Sequence, residues 1–419
     1  MAPTSAGGRA LPRVLLLTTI DRTMAHHLQP LVRALKAQSY AVELACRRTD
    51  DALWSRLQDL DVRLHDVSFS RRPLHPRNLR ALCQVVGLLR RGGYVVVDAH
   101  TAVAGWVARL ASQMSGRRSV LIYSTHGLQF AAGLSPWRNA VVIALEKIAA
   151  RWTDYLVVIN REDEAAAVRY HLAPTGRVRY LPGTGIDSAV FDPQGVDAAQ
   201  VEAVRRELGL GVDDVLFLVV GEFTRRKRQV DTLSALALLD DAHVHVAFAG
   251  SGCHMSRVQQ MGGRLGLQSV THFLGYRRDV AALLLASRAS ILASSTEGVP
   301  KSVMESLALQ VPAIGTDVRG TRELLQDGCG IVVPLGDAPA LAGAMRWMAD
   351  HAQEAAAMGR AGRQKILERY DLQRVLQAQL AMFREALASQ ARSSQASGTG
   401  AVCRTSPPDG GTTNGSAGS

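Results

Sequence analysis

Short apolar runs alternate with longer amphipathic stretches along most of this chain, and this alternation limits the possible folds more than any other feature. Runs almost free of polar residues suit strands that helices cover on both faces. The strand-like runs are 14–18, 41–46, 62–66, 94–98, 119–124, 155–159, 178–181, 215–220, 244–249, 270–274, 289–293, 313–316 and 331–333. Helical stretches between and after them include 26–38, 78–90, 103–113, 229–239, 278–287, 302–310 and 372–387. The pattern predicts an α/β protein built from parallel, doubly wound sheets.

A segment rich in Gly, Pro and Asp, residues 181–195, interrupts the alternation. We therefore expect two Rossmann-like domains that face an interdomain cleft, with ligands at the carboxyl ends of the strands. The expected divisions are a disordered leader (1–11), a first domain (12–187), a second domain (188–370), a helix that could pack back on the first domain (371–388) and a disordered tail (389–419).

The formal net charge of +11 is confined to the first half of the chain. Residues 1–187 hold 25 Lys and Arg against 14 Asp and Glu, whereas residues 188–419 hold 23 of each. A general bias toward Arg is the alternative, but it would not leave the second half neutral. The excess indicates an anionic partner for the first domain. Aromatic residues make up only 5% of the chain, which argues against a nucleic-acid surface built on base stacking.

Cysteine usage and hydropathy indicate the cellular compartment in which the protein is expected. The five Cys form no CxxC pair, so neither a disulfide scaffold nor a structural zinc site is expected, and a reducing cytoplasm fits best. No apolar run reaches the length of about 18 residues that a membrane-spanning helix needs. The first apolar run soon meets Asp21 and Arg22, which predicts a buried strand rather than a signal peptide.

Two carboxylates flank a predicted helix start in the segment 294–309, SSTEGVPKSVMESLAL. Glu297 falls in the loop and Glu305 about one turn into the helix, while Gly298 permits close backbone approach and Pro300 suits an early helical position. The helix start offers free N–H groups to an anion. The pair could therefore bind hydroxyls of one polyol ligand beside a phosphate. The alternative is a surface helix with an incidental pair of Glu residues.

Four consecutive cations, Arg225 to Arg228, follow the first strand of the second domain in the segment 219–229, VVGEFTRRKRQ. At a strand-to-helix turn they would face the same crevice and could neutralise a diphosphate by charge-assisted hydrogen bonds. Alone, these cations are better explained by a solvated basic turn. Together with the two carboxylates they predict a sugar-nucleotide site at neighbouring strand ends.

These motifs resemble a known family. Glu297 and Glu305, set in EGVPKSVMESLA, resemble the Glu-x7-Glu signature of family-4 retaining glycosyltransferases with the GT-B architecture. In the first half, VDAHTAVAGWVARLA, IYSTHGLQF, ALEKIAARWTDYLVVINREDEAAA and VRYLPGTGIDSAVF resemble enzymes of capsule and exopolysaccharide assembly. Those enzymes add sugars to undecaprenyl-diphosphate-linked acceptors. The resemblance covers residues 12–388.

The resemblance implies a role for each matched residue. Glu297 would contact hydroxyls of the transferred sugar, Glu305 the ribose diol, and Lys227, with Arg225 or Arg226, the diphosphate. The remaining residues are assigned to the sugar pocket (the backbone of Gly298, Val299, Pro300 and Lys301), the reaction centre (His100, with His126 as a second candidate) and a structural or acceptor-side role (Glu146 and 161–163).

The acceptor implied by the resemblance is anionic and lies in an anionic leaflet, where each well-placed cation contributes about 1 kcal/mol. The proposed contact cluster is Arg71, Arg72, Arg77 and Arg80, and further basic pairs are 47–48, 90–91 and 117–118. We therefore expect peripheral attachment to the cytoplasmic face of the inner membrane.

The sequence departs from the family pattern in two places. The loop after the first strand, TTIDRTMAHH, lacks the usual glycine pair, and its contact with the diphosphate would pass to Thr19, Arg22 or the pair 26–27. Glu222 stands where many members carry Arg. Asp59 and Asp61 form an Asp-x-Asp, but no His or Glu lies nearby, so neither a metal nor a cofactor is expected.

Three other functions compete with glycosyl transfer. A UDP-sugar 2-epimerase would share the architecture, and a catalytically silent sugar-nucleotide or membrane-binding scaffold would share the binding residues. A nicotinamide dehydrogenase is disfavoured because no GxGxxG follows the first strand. The donor sugar, its nucleotide, the acceptor, the linkage position and the oligomeric state are left open by the sequence.

Overall fold

The computed structural model of the chain describes residues 11–116, 119–130 and 135–399. Its strands form two sheets in which every pairing is parallel. The first sheet contains β1 Arg13–Ile20, β2 Ala41–Arg47, β3 Arg63–Asp66, β4 Val96–His100, β5 Val120–Ser124, β6 Tyr155–Val158 and β7 Val178–Tyr180. The second contains β8 Val215–Val220, β9 Val244–Ala249, β10 Thr271–Gly275, β11 Ala289–Leu292, β12 Ala313–Thr316 and β13 Gly330–Val333.

The helices cover both faces of each sheet. Those of the first domain are α1 Asp21–Thr23, α2 Gln29–Ala37, α3 Asp51–Gln58, α4 Arg77–Gly92, α5 Ala102–Met114, α6 Pro136–Ala150 and α7 Arg161–Arg169. The others are α8 Ala198–Glu207, α9 Gln229–Leu239, α10 Met255–Arg264, α11 Val280–Leu285, α12 Lys301–Ala308, α13 Arg319–Leu325, α14 Ala338–Asp350, α15 Ala352–Lys365 and α16 Leu372–Thr399. Single π-helical turns, Met24–Leu28 and Ile366–Tyr370, precede α2 and α16.

The strand orders place a switch point at the centre of each sheet. They are β3-β2-β1-β4-β5-β6-β7 and β10-β9-β8-β11-β12-β13, so the direction of winding reverses between β1 and β4 and between β8 and β11. Because alternate side chains of a strand point to opposite faces, Leu16 packs in the core under α2 and α16, and Leu15 packs in the core under α4 and α5. The loops after β1, β4, β8 and β11 therefore lie where such sheets bind ligands.

The predicted fold class is confirmed, and each strand-like run contains a strand whose ends differ from it by at most two residues. Two helical stretches differ. The stretch 26–38 begins as a π-helical turn, with the α-helix restricted to Gln29–Ala37. The last helix ends at Thr399 rather than 388, because the Ser-, Gln- and Ala-rich sequence contains no Pro or Gly before Gly398. The rest of the expected tail (400–419) and most of the expected leader (1–10) lie outside the described residues.

The chain crosses between the domains twice, and the two crossings lie side by side. Ile186 forms a parallel bridge with Asp371. The Ile186 amide donates to the Tyr370 carbonyl, and the Leu372 amide donates to the Ile186 carbonyl, each at 2.9 Å. Gly185 has a φ of +73°, and a Cβ on it would lie 2.8 Å from the Cα of Leu372. Glycine is therefore required there both by the backbone conformation and by the close approach.

After the second crossing, α16 packs on the first domain. Phe383 lies in the core beside α2, with its ring edge-on to Tyr40. Glu385 accepts hydrogen bonds from Arg179 at 2.8 Å and from the Tyr155 hydroxyl at 3.1 Å. The C-terminal helix thus covers the sheet face opposite to α4 and α5.

A buried ion pair joins α5 to α6. Arg109 Nη1 donates to Glu146 Oε2 at 2.7 Å, and Trp106 Nε1 donates to Glu146 Oε1 at 3.1 Å. The guanidinium also lies 4.2 Å from the centre of the Tyr123 ring. Arg109 and Glu146 are 1% and 4% exposed, so water cannot replace either partner.

We expect Glu146→Gln to lower the free energy of unfolding by about 3–5 kcal/mol, because the Arg109 charge would stay buried without its counter-ion. Urea denaturation followed by circular dichroism measures the change. Glu164→Gln is the matched control, since its partner Arg161 is 64% exposed in the side chain and such pairs contribute about 0–1 kcal/mol. An equal, small loss in both variants would contradict a structural role for the buried pair.

Candidate functional site

One carboxylate joins the two central loops of the second domain. Glu297, in the loop after β11, accepts from Lys227 Nζ at 2.8 Å and from Arg226 Nη1 at 2.7 Å, both in the loop after β8. The Arg226 guanidinium also donates to the Thr296 carbonyl at 2.8 Å, and the Arg226 carbonyl accepts from the Ser295 amide. The acid and the cations predicted for one site are therefore in direct contact.

The four consecutive cations divide into two groups. Arg226 and Lys227 reach Glu297, whereas Arg228 has a left-handed φ of +49° and forms an ion pair with Asp231 at the start of α9. Arg225 is exposed and has no contact with Glu297 among the described contacts. Of the two alternatives for the partner of Lys227, the geometry thus favours Arg226.

Glu305 lies on α12 with little access to water. Its side chain is 14% exposed, and the Nζ of Lys301, one turn before it, lies 3.7 Å from Oε1. Burial raises the pKa of the Glu305 carboxyl, and the nearby Lys301 charge opposes this shift. Helix α12 begins at Lys301, one residue before the predicted stretch 302–310. Pro300 is not the early helical residue that was expected, because its backbone is extended and it caps the helix, with its carbonyl accepting the first helical bond from Met304.

Gly298 brings this loop against the first domain. A Cβ on Gly298 would lie 2.5 Å from the carbonyl oxygen of His126, so no other residue fits without moving the domains apart. Gly320, at the start of α13, is equally tight, since a Cβ there would lie 1.6 Å from the Gly298 carbonyl oxygen. Val299 packs beside Gly183 of the segment that leads to the first crossing. Small residues therefore set the distance between the two halves of the cleft.

Across the cleft, Asp98, His100 and His126 form a hydrogen-bonded series. His100 Nε2 donates to Asp98 Oδ2 at 3.1 Å, because an ionised carboxylate can only accept. In a neutral His100, Nδ1 then accepts, and the donor is His126 Nε2 at 3.3 Å. Burial, followed by the nearby His100 and His27, lowers the pKa of His126 to about 3. A neutral His126 with this tautomer keeps Nδ1 as a hydrogen-bond acceptor.

The loop after β1 adds a third imidazole. The rings of His27 and His126 are 6.0 Å apart. Burial, followed by the nearby Lys301 charge, lowers the pKa of His27 to about 4. Thr19 is buried, with its hydroxyl 2.6 Å from that of Thr101. Of the residues expected to replace the glycine pair, His27 and Thr19 thus lie beside the cleft residues, on β1 and the turn after it.

Thr101 and Arg319, both beside the cleft, were not predicted from the sequence. Thr101, next to His100, has a φ of +74°, which is strained for a β-branched residue. Asp163 bonds to Arg319 across the domains, and Arg319 Nη2 donates to the Phe130 carbonyl at 2.5 Å. The backbone strain at Thr101 has no signature in the sequence. Asp163 and Arg319 are 156 positions apart, so their contact could not be predicted from sequence spacing.

The proposed acceptor cluster, Arg71, Arg72, Arg77 and Arg80, is exposed just before and within the first turns of α4. Two leucines beside it are strongly exposed, Leu74 at 98% and Leu79 at 68%. Of the further basic pairs, Arg48 forms an ion pair with Asp51, Arg90 donates to the Met114 carbonyl, and the pair 117–118 lies outside the described residues.

Among the described residues, no group of three or more His, Cys, Asp or Glu is placed to hold a metal ion. Asp61 of the Asp-x-Asp contacts Lys36. No helix in the described part of the chain is long and apolar enough to cross a bilayer.

Comparison with protein families divides the chain in the same way as its fold. Residues 22–184 match the model of the glycosyl transferase 4-like domain, and residues 200–365 match that of glycosyl transferases group 1. Among named relatives, the chain is 28% identical to EpsD of Bacillus subtilis over 85% of this chain and 92% of that protein. It is 22% identical to the Escherichia coli UDP-Gal:α-D-GlcNAc-diphosphoundecaprenol α-1,3-galactosyltransferase, over 62% of this chain and 68% of that protein.

Solved structures of similar fold cover nearly the whole chain. Anabaena HepE in complex with UDP and glucose aligns with a TM-score of 0.74 at 17% identity, over 89% of this chain and all of that one. A sucrose-phosphate synthase from Thermosynechococcus elongatus aligns with a TM-score of 0.75 at 20% identity, over 90% of this chain and all of that one. The two domain matches and the paired doubly wound sheets confirm the resemblance, and the chain belongs to the family-4 glycosyltransferases with the GT-B architecture.

Proposed function

We propose that the protein is a retaining, metal-independent glycosyltransferase. It would move a sugar from a uridine-linked nucleotide-sugar to a polyprenyl-diphosphate-linked sugar in surface polysaccharide assembly. The observation that carries this proposal is the contact of Glu297 with both Arg226 and Lys227, at the strand ends that face His100 and His126. Solved neighbours that contain UDP are consistent with a uridine nucleotide.

In the proposed donor complex, Lys227 and Arg226 bind the diphosphate, and Glu297 accepts hydrogen bonds from the sugar hydroxyls. Lys227 is well suited to this role because its side chain is only 13% exposed, which strengthens its interaction with a phosphate. Glu305 accepts hydrogen bonds from the ribose hydroxyls from its position about one turn into α12. The charge that develops on the departing diphosphate is stabilised by cations that Glu297 already holds in place.

The proposed reaction needs no nucleophile from the protein. The acceptor hydroxyl oxygen attacks the anomeric carbon from the face on which the diphosphate departs. The bond from that carbon to the diphosphate oxygen breaks, the new glycosidic bond forms, and the hydroxyl proton passes to the departing phosphate. His126, with Nδ1 as an acceptor, is placed to orient a hydroxyl of either substrate.

The lipid-linked acceptor is supported by charge and by one relative. The excess of cations lies in the first domain, and a named relative uses a diphosphoundecaprenol-linked sugar. The exposed cluster before α4 would meet the diphosphate or the anionic leaflet that surrounds it. We therefore place the protein on the cytoplasmic face of the inner membrane.

A donor panel tests the proposal directly. The protein is incubated with several nucleotide-sugars and a synthetic prenyl-diphosphate-sugar, and products are analysed by mass spectrometry and NMR. We expect one added hexose with the anomeric configuration of the donor. An inverted product would contradict retention, an epimerised donor without acceptor product would indicate a 2-epimerase, and binding without turnover would indicate a silent scaffold.

Replacing Glu305 should weaken nucleotide binding. We expect Glu305→Ala to reduce the affinity for UDP by about 1.5–3 kcal/mol, measured by calorimetry, because charge-assisted hydrogen bonds are lost. Burial raises the pKa of Glu305, so wild-type affinity should fall on acidification at a higher pH than an ordinary Glu would give. Glu305→Gln should lack this fall, and the exposed Glu354→Ala should match wild type. An unchanged affinity in Glu305→Ala would contradict the ribose role.

Lys227 and Arg225 should differ in their effect on the diphosphate. We expect Lys227→Ala to weaken UDP binding about tenfold or more and to leave uridine binding unchanged, because in the proposed complex Lys227 contacts the phosphates and not the nucleoside. Arg225→Ala, in the same turn but without contact to Glu297, is the matched control. Equal losses in both variants would mean that the basic turn acts only through its total charge.

The cluster before α4 should be needed for attachment to anionic vesicles. We expect the triple variant Arg71→Glu, Arg72→Glu and Arg77→Glu to remain in the supernatant when sedimented with vesicles that bind wild type, since three positive charges are reversed and the net charge falls by six. UDP affinity should be unchanged, because the cluster lies outside the donor site. Sedimentation equal to that of wild type would show that these arginines do not face the membrane.

A further inference from the structure

Helix α6 carries a stripe of exposed apolar side chains on its outer face. Trp137 is 73% exposed, Val141 49%, and Leu145 and Ile148 46% each. Their spacing of four, four and three residues places them on one side of an α-helix. Four large apolar side chains in one line are more than the scattered single residues of an ordinary surface.

The inner face of α6 is apolar as well. Val142 and Ile143 pack against the core under α6 and α7, and Ala149 is fully buried. A helix with two opposite apolar faces normally packs against other elements on both of them. Within the described residues no element covers the outer face of α6.

The apolar surface continues on the neighbouring helix. Leu110 and Met114 of α5 are 37% and 48% exposed, and α5 is held beside α6 by the bonds of Trp106 and Arg109 to Glu146. Helices α4 to α7 all pack on the same face of the first sheet. The stripe therefore belongs to one broad face of the first domain.

The charges on the two helices of this surface are positive, and the exposed carboxylates of the neighbouring α7 are paired, Glu162 with Arg322 and Glu164 with Arg161. Helices α5 and α6 contain one carboxylate, Glu146, which is buried against Arg109. Exposed cations flank the stripe, Arg138 and Lys147 on α6 itself. Beyond Met114 lies Arg90, which bonds to the Met114 carbonyl. An apolar surface with a cationic border and no exposed carboxylate on its two helices complements an anionic, apolar partner.

Two other occupants fit less well. The C-terminal helix α16 packs in the core on the opposite face of the sheet, under α2 and α3. A second copy of the chain, docked through the same face, would bring the cations Arg138 and Lys147 of both copies together without carboxylates to neutralise them. An anionic bilayer offers an apolar interior for the stripe and negative headgroups for the cations beside it.

We propose that α6 is an interfacial helix, which inserts its outer face into the acyl border of an anionic membrane. Trp137 lies at its amino end, where an indole ring suits the headgroup region, and Arg138 and Lys147 contact the headgroups. The inference deepens the proposed function, since it gives the attachment an apolar anchor besides the cluster before α4. Two signals together hold a protein on a membrane more firmly than either alone.

The test compares two variants that lose similar apolar surface. Val141→Ser, Leu145→Ser and Ile148→Ser are combined in one variant, and the control combines Val212→Ser with Leu238→Ser, exposed at 97% and 57% in the second domain. Binding is measured by flotation with vesicles of phosphatidylglycerol and phosphatidylcholine. We expect the α6 variant to bind at least about tenfold more weakly and the control to equal wild type.

Insertion has its own signature. With brominated lipids in the same vesicles, tryptophan fluorescence of wild type should be quenched, and Trp137→Phe should lose most of this quenching. Wild-type binding by the α6 variant, or quenching unchanged in Trp137→Phe, would overturn the proposal. A wild-type dimer in light scattering that the α6 variant abolishes would also overturn it, in favour of a second copy.

The outcome can be separated from that of the proposed reaction. The α6 variant should retain wild-type UDP affinity and turnover with a short, water-soluble acceptor. If no acceptor is glycosylated by any form of the protein but flotation still depends on α6, the glycosyltransferase proposal fails and the membrane helix stands.

Discussion

The site depends on the bond between the Glu297 carboxylate and two cations on a neighbouring loop. Neither loop is held there by sheet hydrogen bonds, because both leave their strands before the contact. The acid fixes the positions of Arg226 and Lys227, and it offsets their mutual repulsion. The same carboxylate can accept hydrogen bonds from a ligand once a phosphate competes for the cations. The electrostatic repulsion between the two cations is thus offset before a substrate binds.

Close packing at two glycines brings the loop that carries Glu297 against the first domain across the cleft. Gly298 and Gly320 allow the loop after β11, the start of α13 and the His126 carbonyl to lie closer than any side chain would permit. The glycine of the Glu-Gly-Val-Pro segment therefore serves the contact between domains as much as the approach of a ligand. The loop after β11 packs against the His126 backbone for this reason, and the ion pair of Asp163 with Arg319 also joins the domains.

Much of the fold could be predicted from the sequence because strands buried on both faces are continuous apolar runs, as in 215–220 and 244–249. The helical turns directly after β1 were not predicted, since the polar residues there do not follow a helical pattern of apolar positions. The site was predicted in part. Glu297 and Lys227 lie in recognisable segments, but the choice between Arg225 and Arg226 depends on which side chain the turn directs toward Glu297, and residue type does not reveal this. The three imidazoles follow β1, β4 and β5, which only the strand order brings together, and His27 and His126 are 99 positions apart.

The two crossings between domains run as neighbouring strands, joined by backbone bonds at Ile186. Had they been far apart, the halves of the molecule would be clamped at two points. Joined, they act as one pivot, and α16 fixes that pivot to the first domain through Phe383 and Glu385. We therefore expect any rotation of the second domain to have its axis near Gly185, where the two crossings are joined. The largest displacement would then fall at the edge of the second domain farthest from that axis.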